Sequence, residues 1–193
     1  KIVSPKSVHW NVLAIPGTPP NRYRQVFEVP SDANATTIQA AIDEAAKLSS
    51  QRPVVHLPAG IYLIDKPIII PGGCDLQLIG EGLCDGTELQ WVGSGKGPIL
   101  RLMSPARATL RELNINNQGR GADGVVIEDC DQQGARILID QIGASTGQVG
   151  LLVDGLRHTD VSLYNFCHGT NKVGVKVVGA DDAEPNDNGR TVI

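Results

Sequence analysis

The chain repeats with a period near 25 residues, and that period fixes most of what it can fold into. Three segments start at a glycine and then alternate inward and outward side chains: Gly124-Val125-Val126-Ile127, Gly150-Leu151-Leu152-Val153 and Gly174-Val175-Lys176-Val177. Their glycines fall 26 and 24 residues apart. Leu100-Arg101-Leu102 stands one period before Val125. Between these segments runs a second strand type, apolar at positions 1, 3 and 6: Ala108, Leu110, Leu113, then Ile137, Ile139, Ile142, then Val161, Leu163, Phe166. Cys74-Asp75-Leu76-Gln77-Leu78-Ile79 begins the same ladder. Such a period is too short for a helix pair or a βαβ unit and suits one coil of a β-solenoid, in which each coil stacks its inward side chains on the next. Each buried aliphatic side chain contributes roughly 1.5–3 kcal/mol, so a lone coil cannot offset its own ordering and only a stack is stable. A leucine-rich repeat of similar length needs an Asn at a fixed place in each repeat, and none recurs here.

Upstream, Thr36 to Leu48 reads as an amphipathic helix. Ile38, Ala41, Ile42, Ala45 and Ala46 share one face, with Gln39, Asp43, Glu44 and Lys47 turned away. Thr36 with Gln39 three residues on predicts a capping box. Beyond Pro53 come short β-branched runs, Val54-Val55, Ile61–Ile64, Ile68–Ile70 and Leu76–Ile79, punctuated by Gly and Pro. The succession I-Q-A-A-I-D-E-A, V-x-L-P-A-G-I-Y-L-I and L-x-L-I-G-E-G resembles the opening of the pectate-lyase-like superfamily, over roughly Val29 to Val178. The resemblance implies an all-β fold, a right-handed single-stranded parallel β-helix whose open end is covered by the N-terminal helix. It implies little about chemistry, because that superfamily holds lyases, hydrolases, epimerases and non-catalytic glycan-binding spikes.

The expected organisation is a Pro-rich extended leader or linker over residues 1–35, then the cap helix and about four coils over 36–193, counted from Leu76. Residues 180–190 (ADDAEPNDNGR) read as a loop, and Thr191-Val192-Ile193 as a strand beginning where the sequence stops. An uncapped coil there would leave an unpaired edge and invite self-association. The start at Lys1, without an initiator Met or signal-peptide pattern, suggests processing or a piece of a longer protein. The net charge of −4 without a basic block argues against a nucleic-acid partner, and no apolar run reaches the ~18–20 residues of a membrane span. Four cysteines at 74, 84, 130 and 167 lack metal-binding spacing. They read as buried free thiols, with a Cys74–Cys84 bridge as the alternative. Asn34-Ala35-Thr36 fits the glycosylation acceptor pattern.

In the polygalacturonase-like branch of the superfamily, carboxylates sit just ahead of the Gly-led strands. Ala122-Asp123-Gly124 matches that pattern in part, whereas Gln148-Val149-Gly150 and Lys172-Val173-Gly174 do not. Inverting hydrolysis needs an acid and a base about 6.5–9.5 Å apart, so Asp123 is a lone catalytic candidate. A lyase needs a base near the sugar C5, with Ca²⁺ as the candidate cofactor to neutralise a uronate. Arg101, Lys172, Lys176, Asp154, Tyr164 and His168 are the candidate glycan-binding residues. No metal ligand set is assigned, and the acidic run Asp181, Asp182, Glu184, Asp187 lacks calcium-loop spacing. The expectation is a carbohydrate-active protein of the cell exterior or surface, a polysaccharide lyase or glycoside hydrolase or part of one. The alternatives are a non-catalytic glycan-binding or adhesive β-helix and a purely structural solenoid.

Overall fold

Gly- and Pro-punctuated runs of three to ten residues become strands throughout the computed structural model, which describes residues 23–83, 85–128, 134–156, 158–179 and 190–192. The side chains of residues 49, 156, 168 and 190–192 lie outside that description. In chain order the elements are β1 (Val26–Glu28), α1 (Ala35–Ala46), β2 (Val54–His56), β3 (Gly60–Ile64), β4 (Ile68–Ile70), β5 (Asp75–Ile79) and β6 (Thr87–Trp91). They continue as β7 (Leu100–Met103), β8 (Arg107–Asn116), β9 (Val125–Glu128), β10 (Arg136–Ser145), β11 (Val149–Leu156), β12 (Asp160–Gly169), β13 (Val173–Gly179) and β14 (Arg190–Val192).

Among the described residues every strand pair is parallel, and the strands form a solenoid with three faces. The first face stacks β1-β2-β5-β8-β10-β12-β14. The second stacks β3, β6 and the C-terminal halves of β8, β10 and β12. The third stacks β4-β7-β9-β11-β13. Seven rungs on the first face make about six turns, more than the four counted from Leu76. The two extra rungs are β1 and β2. Val26-Phe27-Glu28 is too short to show a period and lies inside the stretch read as leader, yet it pairs with Val54–His56.

The 1-3-6 spacing has a geometric cause. Arg111, Asp140 and Tyr164 stand in register, and so do Leu113, Ile142 and Phe166, but the residue between them is skipped. Those skipped residues, Glu112, Gln141 and Asn165, have φ of +57°, +52° and +47°. One left-handed residue therefore turns each long strand from the first face to the second and resets its inward phase. Inside, Val55, Leu78, Leu110, Ile139 and Leu163 form one buried row. The recurrent glycine is explained by contact between coils: a Cβ on Gly124 would sit 2.4 Å from the Gly150 carbonyl oxygen, and one on Gly150 would sit 2.7 Å from that of Gly174.

Helix α1 buries Ala35, Ile38, Ile42 and Ala45 against the first coil. Its N-cap is Asn34, whose side chain accepts from the backbone N–H groups of Thr36 (3.0 Å) and Thr37 (3.1 Å). The capping box expected at Thr36 and Gln39 does not form. Gln39 instead turns to β4, accepting from Ile69 N–H (2.7 Å) and donating to Ile69 C=O (2.9 Å). Its amide stands where a further strand would pair. Cys74 is buried and free, which removes the Cys74–Cys84 bridge, whereas Cys167 is free and exposed rather than buried. Cys84 and Cys130 lie outside the described residues.

Candidate functional site

The residues singled out in the sequence do not converge. Arg101 and Lys176 share an outward row of the third face, separated by Val126 and Leu152. Three rungs at ~4.8 Å place them roughly 14 Å apart. Arg101 is held by Glu128, 3.2 Å from its Nε. Asp154 lies on the same face opposite Val178, at a register shift in β11. Asp123 and Lys172 sit at the corner leading into that face, two coils apart. The Asp123 carboxylate accepts from the backbone N–H of Val149 (3.1 Å), which gives it a coil-bridging role. Tyr164 stands on the first face, half exposed at 53%. The side chain of His168 and the acidic run 181–187 lie outside the described residues. Among the described residues no three His, Cys, Asp or Glu side chains come together as a metal site, and no helix is long and apolar enough to cross a membrane.

What the fold does assemble is a row of charge along the first face. Asp75, Arg107, Arg136 and Asp160 stand in register on successive rungs, each immediately before the first inward residue of its strand, and the backbone of Arg190 continues that register. Arg52, just ahead of β2, extends the row, its Nε 3.6 Å from Asp75 Oδ1. Arg107 approaches the other oxygen, Nη1 to Oδ2 at 4.0 Å. Asp75 has no exposed surface, and burial raises its carboxyl above the ordinary value against the pull of Arg52, Arg107 and Arg24. Neither of its oxygens has a hydrogen-bond partner. The Arg52 guanidinium is fixed from the other side by a bond from Nη2 to Thr109 Oγ1 (3.1 Å).

Above this row lies a groove of about 430 Å³, lined among others by Arg52, Arg107, Arg136, Asp160, Ser162 and Tyr164. Arg136 is exposed there. The neighbouring outward row behaves differently, because its charges satisfy one another. Arg111 Nε lies 3.0 Å from Glu112 Oε1 and 3.8 Å from Asp140 Oδ2, and His56 Nδ1 lies 2.7 Å from Glu28 Oε1. Asp140 also accepts from Asn165 Nδ2 (3.0 Å). The groove thus carries guanidinium groups with an aromatic ring at one end, a combination suited to planar anions and sugar faces.

Sequence reasoning read the second strand type for its inward positions and passed over the arginine row. The available signal was the residue before position 1 of the second repeat: Asp75, Arg107, Arg136 and Asp160. No family model and no curated protein matches the sequence. Among solved structures the chain is similar to ORF18 of Geobacillus virus E2, at 16% identity and a TM-score of 0.47. The similarity covers 86% of this chain, which spans 45% of the length of that protein.

Proposed function

We propose that this solenoid is a carbohydrate-active protein that holds an acidic glycan along its first face. The observation that carries this reading is the groove in which Arg52, Arg107 and Arg136 line up beside Tyr164. Guanidinium forks bind carboxylate or sulfate in two-point fashion, and an exposed tyrosine ring stacks on a sugar face. The resemblance of the opening stretch to the pectate-lyase-like superfamily agrees with it. A polysaccharide ligand also implies a site of action outside the cell or at its surface. What lines the groove supports holding a glycan ahead of cutting one. Asp75 has no exposed surface to offer a substrate, and Asp160 alone does not make the pair that hydrolysis requires.

The test is titration calorimetry at low ionic strength with polygalacturonate and dextran sulfate oligomers, using neutral dextran as the control. Binding of the acidic chains only is expected, weakened about tenfold by Arg136→Ala and about threefold by Tyr164→Ala, and falling as salt rises. The same mixtures are assayed for new reducing ends and unsaturated sugars, which would add cleavage to binding. Equal affinity for dextran and dextran sulfate, or no loss on Arg136→Ala, refutes the assignment.

A further inference from the structure

We propose that Asp75 is a built-in competitor for the groove's ligand: it occupies Arg52 and Arg107 from beneath, and its protonation releases their charge to a bound anion. The inference rests on the acidic-ligand reading above and concerns how that affinity is set.

The geometry is that of an ion held below its partners. Asp75 lies on an outward-facing position, where a side chain normally meets solvent, yet it is completely covered. Arg52 reaches it from ahead of β2 and Arg107 from the next rung, one to each oxygen. Both contacts, 3.6 Å and 4.0 Å, exceed hydrogen-bond length, and both carboxylate oxygens remain without a donor. The two guanidiniums are therefore neutralised without being locked down by Asp75. They line the groove on their other side. An incoming carboxylate or sulfate and the Asp75 carboxylate compete for the same two positive charges, and the carboxylate below repels the anion above.

The groups that face Asp75 are Arg24 from ahead of β1, Arg52, Arg107 and the adjacent Cys74. A guanidinium group is not deprotonated in proteins. The Cys74 thiol, pushed up to about 12 by burial and the neighbouring carboxylate, stays neutral at acid pH. Asp75 is thus the group of this set that changes charge in the acid range, and its burial moves that change upward from the ordinary carboxylate value. As pH falls through it, the groove gains one unit of positive charge. One charge lying roughly 8 Å from a bound anion near the protein surface changes affinity about three- to fivefold.

The experiment measures binding of short dextran sulfate, whose sulfate esters stay ionised throughout, from about pH 7 down to about pH 4. Wild type, Asp75→Asn, Asp160→Asn and Arg136→Ala are compared. Wild-type affinity is expected to rise about three- to fivefold with falling pH, and Asp75→Asn to bind that much more tightly at neutral pH with a flat profile. Asp160→Asn, which removes the other acid of the row, is expected to keep the rise. Weaker or unchanged binding by Asp75→Asn at neutral pH, or a pH profile as steep as wild type, overturns the proposal. Should Asp75→Asn fail to fold, the wild type and Asp160→Asn decide: a flat profile in Asp160→Asn overturns it, and a retained rise supports it. If wild type binds through Arg136 but shows none of this behaviour, the inference about Asp75 fails alone. Absence of binding at every pH removes the acidic-ligand reading along with it.

Discussion

Replacing Gln39 by leucine should loosen the first coil in a way that can be worked out from three contacts. In a parallel sheet both backbone groups of a residue point to the same neighbour, and Ile68 is the one that bonds toward β7. The Ile69 N–H and C=O therefore face the other way, along the free edge of the third face. Gln39 meets both, at 2.7 Å and 2.9 Å, while its amide also donates to Asp43 (2.9 Å). Leucine has nearly the same volume, so packing of α1 is preserved and the loss is confined to hydrogen bonding. Two backbone hydrogen bonds at about 0.5–1.5 kcal/mol each, with both Ile69 groups left half-buried and unpaired, give a destabilisation of about 2–3 kcal/mol. Gln39→Glu should cost a comparable amount, because it retains an acceptor for Ile69 N–H but turns a carboxylate oxygen toward Ile69 C=O. Asp43→Ala removes only the exposed contact and should cost less than about 0.5 kcal/mol. Urea unfolding gives the stabilities, and hydrogen exchange of the Ile69 amide reports the edge directly. A Gln39→Leu protein within about 0.5 kcal/mol of wild type, with the Ile69 amide still protected, would refute the role assigned to this side chain.

Gly124→Ala should destabilise by more than about 3 kcal/mol, since its Cβ meets backbone 2.4 Å away with no side chain to yield. Thermal melts check it. At the Gln141 corner, with φ of +52°, Gln141→Ile should cost about 1–3 kcal/mol and Gln141→Gly should be near neutral, since a branched side chain resists the left-handed region and glycine does not. In protein carrying Ser at 84 and 130, a thiol reagent at pH 8 should label exposed Cys167 quickly. Cys74, with its thiol near 12 and bonded to the Pro71 carbonyl (3.0 Å), should react only on unfolding. The raised folded-state carboxyl of Asp75 means that the native state binds its proton more tightly than the unfolded chain. The stabilisation so gained is complete below about pH 3.8 and is lost as pH rises through the folded value. Unfolding free energies of wild type relative to Asp75→Asn should accordingly decline across that window. A constant difference would contradict the assignment.

The repeat was legible because inward side chains must be apolar in every coil, and that requirement writes itself into Leu78, Leu110, Ile139 and Leu163 at matching places. The cap helix was legible for the same reason, from Ile38, Ile42 and Ala45. Its N-cap was not, because Asn34 and Thr36 are both good cap residues and only the chain path chooses between them. The first rung, Val26–Glu28, escaped detection, and the second, read as the short run Val54-Val55, stayed out of the coil count, since strands of three residues carry too little alternation to set a period. The groove is harder still to read. Whether an outward arginine lines a site or merely meets solvent depends on its lateral neighbours, and those are set by register across coils. Asp123 shows the converse: it resembled a catalytic carboxylate in one coil, and only the adjacent coil reveals Val149 N–H as its partner.

The single-residue corner at Glu112, Gln141 and Asn165 also constrains how this molecule can change over generations. In the coils of β2 and β5 the same corner is spanned by longer connections, 57–59 and 80–86, where residues can be gained or lost without moving a strand. In the coils of β8, β10 and β12 one inserted or deleted residue would exchange inward for outward along that coil's strand of the second face. Length variation should therefore collect at the helix end of the solenoid, while the later coils drift by substitution alone and keep their arginines on a common pitch.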